Sequence, residues 1–170
     1  RLVRLLAALD AIALDSGTAH FDPSNLEIVS IDAGNAATNV IPGKGEAVFN
    51  IRFNDSYTSD TLIALVRSAL DAVGVPYDLA FEVTGESFLC PPGPLADMVT
   101  DAVEAATGIR PERSTSGGTS DARFIHRNCP VVEFGMVGTT MHKIDENVAV
   151  ADIETLTRIY LDVLERYFSR

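Results

Sequence analysis

The chain has 170 residues, 46% of them hydrophobic and 22% charged, and its 13 basic and 24 acidic residues leave a formal net charge of −11. That composition excludes a disordered chain, and the sign excludes a binder of the phosphate backbone, which recruits lysine and arginine to displace counterions. With no secretory leader, no apolar run near the roughly 20 residues that cross a bilayer, and Cys90 and Cys129 at no metal-ligand spacing, the sequence reads as a cytoplasmic protein of a reducing compartment with no membrane or nucleic-acid partner.

Residues 1–14 are apolar at 2, 3, 5, 6, 9, 12 and 13, a helical period with no N-cap before it, so the chain reads as a fragment entered part-way through. After a loop over 16–25, residues 26–32 alternate as a strand, with Leu26, Ile28, Ser30 and Asp32 on one face. The turn Pro42-Gly43-Lys44-Gly45 suits a hairpin loop, and residues 46–53 place Ala47, Phe49, Ile51 and Phe53 on one side of a second strand. Residues 58–73 carry Ser and Thr caps, Asp60 in the first turn and an apolar period that Gly74 ends, which predicts a helix. Alternation returns over 77–83 and makes the first part αββαβ, a two-layer module of the ferredoxin-like kind once one strand is added ahead of residue 1.

The punctuated link Pro91-Pro92-Gly93-Pro94 marks a domain boundary. Beyond it the pattern predicts a helix over 95–107 ended by Gly108, a small-residue loop over 114–120, a short buried strand at 130–135 and an amphipathic helix over 151–168. This second part is α/β but incomplete, because a lone strand makes no sheet.

Three places carry residues suited to chemistry. In Ser114-Thr-Ser-Gly-Gly-Thr-Ser-Asp121, the glycines Gly117 and Gly118 followed by Thr119 put backbone N–H groups where an apolar run begins, a cradle for a carboxylate or phosphate, with loop and cap chemistry as the plainer alternative. His142 follows the expected strand 130–135 in a loop, where an imidazole is a candidate zinc ligand; with no HExxH motif or second histidine at ligand spacing, a surface histidine is the plainer alternative. Arg52, opposite to Phe49, Ile51 and Phe53, offers a two-pronged clamp for a carboxylate, and the Asn39 amide can orient the same group; solvated surface is the alternative. Asp145 and Glu146 make either a metal or base pair or a charged turn, His20 and His126 read as ordinary histidines, and Glu133 needs a partner where the strand is buried.

The segments GNAATNVIPGKGEAVFNIRFND, GESFLCPPGPL, STSGGTSDARFI, CPVVEFG and TTMHKIDENV, in that order, resemble the dinuclear zinc aminoacylases and peptidases, and within that group the succinyl-diaminopimelate desuccinylases. The resemblance implies a zinc-bearing catalytic domain split by an inserted αβ lid that mediates homodimerisation, with residues 1–88 as the lid minus its opening strand and 89–170 as the end of the catalytic domain. It implies His142 as a ligand to one of two zinc ions (cobalt being an alternative metal), and Asn39, Arg52, Gly118 and Thr119 as substrate contacts. The general base and the other metal ligands then lie ahead of residue 1, so the chain alone is expected to be inactive. Gly138 stands where some members of the group carry Asn. Hydrolysis of succinyl-diaminopimelate is the activity implied; a sister acetylornithine or N-acyl amino acid deacylase, or a non-catalytic dimerisation module, is the alternative.

Overall fold

The computed structural model describes residues 1–35, 37–115 and 120–169, which divide into two compact units, Arg1–Phe88 and Leu89–Arg170. The class is α+β, with helices and, among the described residues, one two-stranded antiparallel sheet.

The first unit runs α1 (Leu2–Asp10), β1 (Asn25–Asp32), β2 (Glu46–Arg52), α2 (Ser59–Asp71). The apolar period of α1 buries Leu5, Leu6 and Leu9, and that of α2 buries Leu62, Val66 and Leu70. The two helices form one layer over the sheet face that carries Leu26, Ile28, Ala47, Phe49 and Ile51. Helix α2 starts at a capping box in which the Thr58 and Thr61 side chains each accept from the other's backbone N–H, and the Glu86 carboxylate accepts from the Ser59 N–H at 3.0 Å, placing a negative charge at the positive end of the helix.

Strand pairing departs from simple alternation at one point. Ile28 faces Phe49 and Ser30 faces Val48, so Val29 is an extra residue, a bulge. The extra residue reverses parity, which turns Ser30 and Asp32 away from the side they would share with Leu26 and Ile28. The connection is also longer than the tight turn expected at Pro42–Gly45. Pairing stops at Asp32–Glu46, leaving residues 33–45 as a wide loop organised by its own side chains.

The third strand expected over 77–83 is not formed. Tyr77, Leu79 and Phe81 do turn inward while Asp78, Ala80 and Glu82 stay exposed. Among the described residues, however, the backbone of 75–83 makes no backbone–backbone hydrogen bond to another segment. Alternation selects a buried face, whereas a ladder also needs a neighbouring edge in register. Side chains hold the segment instead: Phe81 stands edge-on to Phe49 at 6.3 Å, and the Arg67 guanidinium lies 5.6 Å above the Phe81 ring.

A polar network ties the ends of this unit together. Asn54, only 2% exposed, donates through its amide to Asp15 Oδ1 at 2.6 Å and to the Asp22 carbonyl at 3.1 Å, and accepts from the Ser56 N–H at 2.9 Å. Its backbone N–H donates to Ser24 Oγ, and the Tyr57 hydroxyl donates to the Leu14 carbonyl at 2.7 Å. Bonding from the Ser24 side chain first, then from the Gly17 N–H and the Asn54 amide, holds the Asp15 carboxyl below its ordinary value against the opposing effect of desolvation.

The second unit runs α3 (Pro94–Thr107), α4 (Ala122–Ile125), α5 (Val150–Phe168). Pro94 opens α3 at a position where the missing N–H costs nothing, and Gly108 closes it at φ +74°. Ala102 and Val103 pack on Ile159 of α5, flanked by Val99, Phe134 and Val163. The buried strand expected over 130–135 is absent: Val131, Val132 and Phe134 are half-buried, Glu133 is exposed, and Phe134 is fastened by the Tyr160 hydroxyl, which donates to its carbonyl. With no second strand beside it among the described residues, the segment packs on α5. Exposure also removes the need for a partner to Glu133. Cys90 and Cys129 are both free, and among the described residues no helix is long and apolar enough to cross a membrane.

Candidate functional site

Arg52 is the last residue of β2, paired with Asn25. Because Ala47, Phe49 and Ile51 point to the helices, Arg52 projects from the opposite face and is exposed. Asn39 lies in the wide loop. Asp32 Oδ1 accepts from the Gly34 N–H at 2.7 Å, with Gly34 at φ +57°, and the Asn35 amide then donates to the carbonyls of Ala37 at 3.0 Å and Val40 at 2.7 Å. Those two bonds bracket Asn39, whose side chain is exposed. The two candidates are not brought together within the hairpin: Asn39 lies beyond the Asp32–Glu46 end, and Arg52 sits at the other end, a strand length of roughly 20 Å at about 3.3 Å per residue.

His142 stands in a loop closed by side chains. Thr140 Oγ1 donates to the Asn147 carbonyl at 2.8 Å and accepts from the Asn147 N–H at 3.0 Å, and the Asn147 amide donates to the Asp145 carbonyl at 2.8 Å. Inside this loop His142 has φ +63° and Asp145 φ +61°. The imidazole is exposed and makes no hydrogen bond or ion pair with any described residue. Met141 folds over Gly138, where a Cβ would come within 3.2 Å of the Met141 Cβ, so the glycine lets this turn close tightly.

Gly118 and Thr119 lie outside the described residues. Just beyond them, Ser120 Oγ accepts from the Ala122 N–H at 3.0 Å and α4 runs for only four residues. The apolar run ends with the helix at Ile125, since His126, Arg127 and Asn128 follow. Asp145 and Glu146 are exposed parts of a turn, and the described residues contain no group of three His, Cys, Asp or Glu side chains placed to hold a metal. His142 therefore fits one ligand position, an accessible imidazole with no competing partner, and the remaining ligands of any such site would have to come from elsewhere. Residue types alone did not point to Thr140 and Asn147; a Thr and an Asn at the two ends of a short loop are the available signal.

The class of this α+β chain comes from comparison with protein families. The model of peptidase family M20/M25/M40 matches residues 5–166, and the chain belongs to that family. It is 59% identical over 169 residues to a succinyl-diaminopimelate desuccinylase of Rhodospirillum centenum, covering 99% of this chain and 44% of that protein. It is 55% identical over 170 residues to the desuccinylase of Xanthobacter autotrophicus, covering 99% and 45%, and 57% identical over 171 residues to that of Methylobacterium nodulans, covering 98% and 43%. The chain thus spans less than half the length of the curated relatives it matches.

Proposed function

We propose that this chain is part of a metal-dependent amide hydrolase that converts N-succinyl-L,L-2,6-diaminopimelate and water to succinate and L,L-diaminopimelate, a step of lysine and diaminopimelate biosynthesis. The observation that carries the reading is identity of 55–59% to succinyl-diaminopimelate desuccinylases over 99% of the chain. Two zinc ions are the metal of this reading, with cobalt as a substitute; when bound, they lower the pKa of a water and polarise the scissile carbonyl. His142 supplies one neutral imidazole to them. Arg52 takes a substrate carboxylate through its planar fork, Asn39 orients the same end of the substrate, and Gly118 and Thr119 offer backbone N–H groups and a hydroxyl to the other. The general base belongs to a part of the polypeptide outside this chain.

In the same reading residues 1–88 are a lid that pairs two copies of the protein, supported by the apolar Val29, Ile31 and Val48 that the hairpin exposes, and residues 89–170 belong to the catalytic domain. The protein acts in the cytoplasm on a small molecule, with neither nucleic acid nor membrane as a partner. Assay of the full-length polypeptide against succinyl-diaminopimelate and acetylornithine, with and without chelator, tests the proposal. Chelator-sensitive turnover of the first substrate is expected. Preference for acetylornithine makes the protein a sister deacylase, and turnover of neither makes it a non-catalytic module.

A further inference from the structure

His142 and Asp145 are the two non-glycine residues among those described whose backbone is left-handed, and they stand three apart in one loop. Each such residue is strained for an L side chain and persists only where its surroundings impose it. Here the imposing contact is identifiable. The Thr140 hydroxyl takes the place of a backbone peptide, donating to the carbonyl and accepting from the N–H of the same residue, Asn147, so residues 140–147 form a closed ring. Inside the ring the Asn147 amide holds the Asp145 carbonyl, the Lys143 N–H donates to the Thr140 carbonyl at 3.0 Å, and Lys143 Nζ donates to the Thr139 carbonyl at 2.8 Å.

A metal-ligating histidine is ordinarily aimed by a hydrogen bond to its second ring nitrogen. No described residue makes such a bond to His142. The backbone that carries the ring sets the direction of its Cα–Cβ bond, and so the region of space that the imidazole can reach. We propose that Thr140 is the positioning residue for His142: its paired bonds to Asn147 hold the loop in the left-handed conformation that presents the imidazole to the metal. The inference rests on the reading of His142 as a metal ligand given above.

The test uses the full-length polypeptide and zinc, with zinc content after dialysis and affinity by competition against a chromophoric chelator as readouts, alongside circular dichroism. His142→Ala is expected to bind one zinc fewer per chain. Thr140→Val, which keeps the shape and loses the hydroxyl, is expected to weaken zinc about 10–100-fold with unchanged secondary structure, the usual loss when a ligand's support is removed. Thr140→Ser, which restores the hydroxyl, is expected to return the affinity to that of the unmodified protein. Unchanged zinc affinity in Thr140→Val, with the His142→Ala loss present, overturns the positioning role. Equal losses in Thr140→Val and Thr140→Ser overturn it too, since packing would then be the cause. Full zinc content in His142→Ala instead overturns the ligand assignment. Should Thr140→Val not be recovered folded, Thr140→Ala against Thr140→Ser decides the same question, and equal affinities refute the role.

Discussion

Asn54 offers the sharpest test of what holds the first unit together. Asn54→Ala deletes a charge-assisted bond to Asp15, worth about 1.5–3 kcal/mol, and two neutral bonds, to the Asp22 carbonyl and the Ser56 N–H, worth about 1 kcal/mol each. Water reaches Asp15 more easily than Asn54, so part of the loss is recovered and about 3 kcal/mol is expected, a large share of the ~5–15 kcal/mol typical of a domain. Asn54→Asp separates charge from shape. It sets a second carboxylate beside Asp15, and the pair shares a proton more readily as pH falls, so this variant gains stability between pH 7 and pH 5. The unmodified protein behaves oppositely. Its Asp15 has a folded pKa below that of an ordinary aspartate, so its contribution is fully present above the ordinary value and is lost as pH falls through the folded value. Urea unfolding at pH 7 and pH 5, followed by far-ultraviolet circular dichroism, measures both variants. An Asn54→Ala loss under about 0.5 kcal/mol, or Asn54→Asp stability that falls between pH 7 and pH 5, refutes the account.

Leu70→Ala empties a site that is 3% exposed between the two helices and should cost about 2–4 kcal/mol in the same urea assay. Thr58→Ala removes the hydroxyl that accepts at the start of α2 and should cost about 1 kcal/mol, with the loss visible in helix content near the transition. In the full-length polypeptide, Arg52→Lys keeps the charge but loses the fork, so the Michaelis constant for succinyl-diaminopimelate should rise at least about tenfold, or roughly 1.4 kcal/mol. Thr119→Val should have the smaller effect, since the backbone donors stay; equal and negligible changes in both would make these residues solvated surface.

The helices were legible because each carries its own evidence: an apolar period, Thr58 ahead of α2, Gly108 after α3. Strands carry only half of theirs. The alternation over 77–83 correctly marks Tyr77, Leu79 and Phe81 as inward, yet whether a ladder forms depends on an edge elsewhere in the molecule. The Val29 bulge escapes notice for a similar reason, since only the partner's register reveals an extra residue. The exposure of Arg52 followed from its place opposite Phe49 and Ile51, a purely local fact. By contrast the Asp15–Asn54 bond joins residues 39 apart with no shared motif, and the Thr140–Asn147 closure depends on the conformation of the loop between them.

Helix α5 buries Ile159 on one side and leaves Ile153, Tyr160, Leu161, Leu164, Tyr167 and Phe168 exposed on the rest of its surface. On a chain of net charge −11 these opposite tendencies set the colloidal behaviour of the 170-residue polypeptide. Mutual repulsion keeps such stripes apart in dilute buffer, but the Debye length shrinks from about 30 Å at 0.01 M salt to about 8 Å at 0.15 M, which lets them approach. Acid has the same effect by protonating the carboxylates that supply the charge. Any association between chains through these side chains is therefore expected to grow with ionic strength and with acidity, and a low-salt, mildly alkaline solution is the one expected to keep individual chains apart.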